Sequence, residues 1–207
     1  MHATIPALPN GIHYLMRSGF THNQVAQQVG QIAEKISGRL LAEIIAGAIK
    51  LGFGFLVLEG LDTTHALKAE AFFNENFVMH DPNAPGGIRY YQGNILIRTR
   101  KPGDDMNVYI RFCPDPEKLY LAGYLNPLAI VHSEAISEAE ADAIEQDPNR
   151  MDLVIRFRDI PAILGLVQRP DVEVVQLLLE NLVQITGNFG HLFKFGAIGK
   201  NVQSALK

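Results

Sequence analysis

The run LVQITGNFGHLFKF, residues 182–195, decides the fold class. Residues 182–186 read as a last strand, Gly187 and Asn188 as a turn, and residues from Gly190 onward as a closing helix. Immediately upstream, Leu153, Ile155 and Phe157 alternate with Asp152, Val154 and Arg156, which predicts a half-buried strand over 151–157. Asp159 is the expected cap of a helix through Leu166, and Asp171 of another through Leu179. The last sixty residues thus read strand, two helices, strand, helix.

Further out, Ile95 and Ile97 alternate with Leu96 and Arg98, and Val108, Ile110 and Phe112 with Tyr109 and Arg111. The Pro102-Gly103 turn between them predicts a hairpin, and a third run over 118–121 is expected to join the same sheet. Residues 133–147, with Glu134, Glu138, Glu140, Asp142, Glu145 and Asp147, predict an acidic, exposed helix. Residues 1–20 look irregular. Thr21 caps an expected helix carrying Val25, Val29, Ile32 and Ile36, and an apolar helix is expected over 40–50. Gly52 and Gly54 read as a chain break leading to a short strand or turn. A second helix starts at Asp62-Thr63-Thr64 and runs towards Phe77. Turn formers crowd residues 80–87, which sets an expected boundary between a helical region 1–80 and a domain 81–207. Strands and helices alternate only in part, so the fold class is α+β rather than a doubly wound sheet.

Composition narrows the function classes. Of 207 residues 47% are hydrophobic and 19% charged, enough apolar surface for a packed core and against disorder. A net charge of −4 argues against a nucleic-acid partner, because no cationic excess exists to neutralise phosphates. The single cysteine, Cys113, excludes an internal disulfide and a cysteine-based zinc cluster and points to the cytoplasm. Residues 40–58 approach bilayer-spanning length, yet Glu43 and Lys50 lie within them, so a buried helix is expected.

Catalytic motifs are missing. There is no nucleophile elbow, phosphate-binding loop or complete dinucleotide fingerprint, and the seven histidines show no close metal-ligand spacing. Neither a cofactor nor a metal is expected. His191 stands at the start of the last helix, where it could anchor the polar end of a ligand. His132 and His191 are the candidate bases if the protein is an enzyme. Asp104-Asp105 is accounted for by the turn, and nothing near Cys113 signals an activated thiol.

Residues 182–188 and 191–195, behind the strand and two helices, resemble the C-terminal half of the sterol carrier protein 2-like family. That family has a strand of the kind GKLKIxGN followed by a terminal helix. Glu180-Asn181 replaces its frequent Gly-Lys, and the helical lead here is longer. The similarity covers about residues 88–205. It implies an antiparallel-rich sheet of about five strands covered by helices, enclosing an apolar tunnel that binds sterols, acyl chains or related amphiphiles. Phe157, Ile163, Leu178, Ile185, Phe189, Leu192, Phe193, Phe195 and Ile198 are the expected ligand contacts. By periodicity alone the Phe-rich helix reads more readily as ordinary core than as a tunnel wall.

The expected function is therefore noncovalent binding and transfer or presentation of a lipid, sterol or quinone-like molecule, with transient membrane contact. The alternative is an interaction or scaffold module forming a homodimer through helices 21–77, which carry Ile44, Ile45, Ile49, Phe53 and Phe55. An enzyme acting on a hydrophobic substrate is the third reading.

Overall fold

A computed structural model describes residues 37–58, 63–121, 123–168 and 174–205. The chain enters helix α1 (Gly38–Leu58), whose first turn is capped by Ser37 Oγ accepting from the Leu40 N–H at 3.2 Å. The helix continues through Gly52 and Gly54, contrary to the break expected there. A glycine costs a helix only about 1 kcal/mol, and no proline interrupts this apolar run. The helix expected from Thr21 lies outside the described residues. Helix α2 (Thr63–Phe77) follows as expected and leads into a short hairpin, β1 (Val78–His80) with β2 (Ile88–Tyr90), which the sequence did not reveal. The boundary expected near residue 80 falls inside this hairpin.

The main sheet contains β3 (Gly93–Thr99), β4 (Asn107–Phe112), β7 (Val131–Ala135), β8 (Leu153–Phe157) and β9 (Val183–Gly187). Their spatial order is β7-β4-β3-β8-β9. The β3–β4, β4–β7 and β8–β9 pairs are antiparallel, whereas β3 and β8 run parallel, with Ile95 opposite Leu153 and Thr99 opposite Phe157. The fold class is α+β and the sheet is mixed. A parallel pair needs a long crossover, supplied here by everything between β3 and β8, with β4 and β7 included.

Two sequence-based expectations give way in this crossover. Residues 118–121 do not join the main sheet. Tyr120–Leu121 forms β5, which pairs only with β6 (Tyr124–Leu125), because a 3₁₀ turn at Pro116–Lys118 diverts the chain. The acidic helix α4 spans Glu138–Gln146, capped by Ser137 Oγ accepting from Glu140 N. Residues 133–135 instead extend β7 after the short helix α3 (Pro127–Ile130). Helices α5 (Ile160–Gln168) and α6 (Val174–Leu179) link β8 to β9, and α7 (Phe189–Ala205) closes the chain. Asp159 caps α5 through its Oδ1, which accepts from Ala162 N at 2.9 Å. The expected cap Asp171 lies outside the described residues.

The period-two alternation gives the sheet two faces. One carries Ile95, Ile97, Val108, Ile110, Phe112, Leu153, Ile155 and Val183. It is covered by Leu41, Ala42 and Ala46 of α1, Phe73 and Phe77 of α2, and Leu192 and Ile198 of α7, all in one core. The opposite face buries Leu96, Tyr109 and Val154 against Ala141 and Ile144 of α4. Val154 is fully buried, so β8 is covered on both faces rather than half-buried. No helix among the described residues is long and apolar enough to cross a membrane.

Phe77 stacks on Phe73 at 5.6 Å between centroids and contacts Phe112 of β4 at 5.7 Å, joining α2 to the sheet. Phe77→Ala is expected to lower unfolding free energy by about 3–5 kcal/mol within a single cooperative denaturant transition. A loss below about 1 kcal/mol, or a separate transition for the helical region, would contradict this common core.

Candidate functional site

A cleft of about 890 Å³ opens where the β1–β2 hairpin, the link into β3, the Pro116–Glu117 turn and the start of α7 meet. Met79, Pro85, Ile88 and Tyr90 give it apolar walls, while Gln92, Asp152, Asn188 and His191 bring polar groups together. Apolar walls with a few convergent polar groups are what a small-molecule site requires.

These polar groups are positioned by backbone contacts. Gly187 has φ +108°, and a Cβ there would lie 2.2 Å from the Asp152 carbonyl oxygen. The same carbonyl accepts from Asn188 N at 2.9 Å, fixing the β9–α7 turn against the start of β8. Asn188 Oδ1 then accepts from Gly190 N at 2.8 Å, opening α7 and setting His191 in its first turn. The Asp152 side chain is held from β3: its Oδ2 accepts from Asn94 N at 2.8 Å and Asn94 Nδ2 at 3.1 Å.

His191 stands between two partners. Its Nδ1 lies 2.8 Å from Tyr91 Oη, and its Nε2 lies 3.9 Å from Asp152 Oδ1. Burial first, then the charge of Asp152 and the nearby Cys113, push the Tyr91 phenol well above its ordinary pKa. The Asp152 carboxylate facing Nε2 favours the tautomer that carries its proton there, in which the Tyr91 hydroxyl donates to Nδ1. The phenol ring is fixed by Phe77 at 6.5 Å, Phe112 at 5.9 Å and the His191 ring at 5.5 Å. Lys194 Nζ sits 5.8 Å from its centroid, and desolvation lowers that amine's pKa.

The remaining candidates do other things. His132 Nε2 pairs with Glu134 Oε1 at 3.2 Å on strand β7, away from the cleft lining. Cys113 is fully buried, and burial pushes its thiol up to about 12, so it offers no thiolate at neutral pH. No group of three or more His, Cys, Asp or Glu among the described residues is arranged to hold a metal.

Of the nine expected ligand contacts, Phe157, Ile163, Leu192 and Ile198 are buried in the main core. Ile185 and Phe195 pack partly buried against it, and Leu178 is half-buried. Phe189 and Phe193 face outward, 48% and 72% exposed. None of the nine lines the cleft. His191 does. Sequence reasoning missed Tyr91, Asn94 and Asp152. Gly93 carried one usable signal, since a glycine at the start of a strand marks a close approach. A Cβ at Gly93 would come 2.6 Å from Tyr91 Oη and 3.0 Å from His191 Nδ1.

Gly93→Ala is accordingly expected to separate Tyr91 from His191, lowering stability by about 1–3 kcal/mol. It should also erase the single-tautomer pattern in the imidazole nitrogen spectrum, and an unchanged spectrum would contradict the contact. A second expectation concerns alkaline pH. The Cys113 thiol has its ordinary value of 9.0 when unfolded, and burial pushes it up to about 12 when folded. Its contribution is complete below pH 9.0 and is lost as pH rises towards about 12. Cys113→Ala should flatten that fall in denaturant titrations, and an identical slope would contradict it. No family model matches this chain, and no curated protein matches it significantly.

Proposed function

We propose that this protein binds an amphiphilic small molecule in the cleft and carries or presents it, on the plan of a sterol carrier protein 2-like module. The observation that carries the reading is the Tyr91–His191 hydrogen bond beside Asp152, set among the apolar side chains Met79, Pro85, Ile88 and Tyr90. A ligand's apolar body gains about 25 cal/mol per Å² on leaving water, and the polar trio fixes its head. The order of strand β8, helices α5 and α6, strand β9 and terminal helix α7 accords with the family's C-terminal plan.

With Phe157, Ile163, Leu192 and Ile198 committed to the core, ligand contact falls to the cleft residues instead. Binding is noncovalent. Exposed Leu121, Tyr124 and Leu128 follow the Pro116–Glu117 wall in sequence and would meet a membrane or acceptor during transfer. We place the protein in the cytoplasm, where its single buried thiol stays reduced. A scaffold role through helices 21–77 draws less support, because Ile45 and Ile49 pack on the chain's own core.

Native mass spectrometry of gently purified protein, together with titration of a fluorescent acyl-chain probe, tests the reading. Saturable one-to-one binding is expected, weakened about tenfold by His191→Ala, equivalent to one lost charged or neutral hydrogen bond of about 1.4 kcal/mol. Phe193→Ala should leave affinity unchanged. No copurified ligand together with no saturable binding would overturn it.

A further inference from the structure

We infer that the polar group this cleft recognises is a neutral hydroxyl, making the ligand a lipid alcohol rather than a fatty acid or a phosphorylated lipid. The inference rests on the binding reading above and concerns the chemistry of the head group.

At the His191–Asp152 pair the donors and acceptors can be assigned one by one. In the tautomer favoured by the Asp152 carboxylate, Tyr91 Oη donates to His191 Nδ1 and the Nε2–H is the donor available to a ligand. Both Asn94 donors occupy Asp152 Oδ2, so the acceptor capacity that remains is centred on Oδ1. Those two atoms, one donor and one acceptor, lie 3.9 Å apart on two residues that line the cleft. That is too long for a direct hydrogen bond, and it matches the span across a single oxygen. An oxygen about 2.8 Å from each closes a triangle with roughly a right angle at its apex, compatible with a hydroxyl.

A hydroxyl accepts from Nε2–H and donates its proton to Oδ1 at once. A carboxylate or phosphate has no proton for Oδ1 at neutral pH and sets like charge against Asp152. A ketone or ester carbonyl satisfies Nε2 alone, and an ammonium satisfies Oδ1 alone. The surrounding charges do not reverse this preference. Arg89 at the rim is paired with Asp81 at 3.6 Å, Glu117 adds a second carboxylate to the lining, and Lys194 is turned onto the Tyr91 ring. Discrimination of this kind comes from leaving a buried partner unsatisfied as much as from attraction.

The test compares 1-octanol with octanoate at neutral pH, by nitrogen–proton correlation spectra of the full chain. Octanol is expected to bind about tenfold more tightly than octanoate, with its largest shifts at Asn94, Gly190 and the His191 side chain. Asp152→Asn should narrow that ratio by removing the repulsion; because it also alters the Asn94 contact, the wild-type comparison stands independently of it. Octanoate binding as tightly as octanol at those residues would overturn the hydroxyl assignment while leaving the cleft as the binding site. Shifts confined to other surfaces, or no binding of either compound, would overturn the binding reading itself and this inference with it.

Discussion

The cleft depends on how closely the backbone approaches itself around Asp152. Its carbonyl holds the β9–α7 turn, its N–H donates to Asn94 O at 3.0 Å, and its carboxylate receives both Asn94 donors. One residue therefore joins the starts of β3, β8 and α7. Gly187 and Gly93 permit the approach, since a side chain at either would collide with that backbone or with the Tyr91–His191 pair. The polar trio is fixed by the same contacts that align the sheet, so a ligand head would meet a preorganised pair of atoms rather than mobile side chains.

The two faces of the sheet divide the labour of stability. The larger apolar face takes helices from both ends of the described chain, and its aromatic row extends from Phe73 through Phe77 and Phe112 to Tyr91. The smaller face is closed by charge as well as by apolar contact. Arg98, only 11% exposed along its side chain, reaches Asp142 at 2.7 Å and Glu145 at 3.0 Å, while Arg156 pairs with Glu145 and donates to Thr186 Oγ1 at 2.8 Å. The acidic residues of α4 thus serve to dock the helix, because buried guanidinium groups must be paired to be tolerated. The site lies at the edge of the larger face, where the aromatic row ends in a phenol.

Local signals in the sequence are legible where they are self-contained. The β3–β4 hairpin follows from alternation around a Pro-Gly turn, and the succession from β8 to α7 from the Asp159 cap and the Gly187-Asn188 turn. Strand β7 is hidden because Ser133 and Glu134 look like the opening of an acidic helix. Only the pairing of Val108 with Ala135 and Phe112 with Val131 makes them a strand. The site was legible at one residue, His191, through its place at a helix start. Tyr91 lies 100 positions away and Asn94 lies 58 from Asp152, so their meeting depends on sheet order, which no linear spacing encodes. The Phe-rich terminal helix misled for a related reason. Its apolar residues divide between a core face, with Leu192, Phe195 and Ile198, and an outward face, with Phe189 and Phe193.

On the proposed reading, His191 and Asp152 jointly hold the oxygen of a ligand. A crystal structure of the protein grown with a long-chain alcohol tests this most directly. The expected result is continuous density for the chain along Ile88 and Tyr90, with its oxygen about 2.8 Å from both His191 Nε2 and Asp152 Oδ1. An alcohol bound elsewhere, with only water between those two atoms, would contradict it.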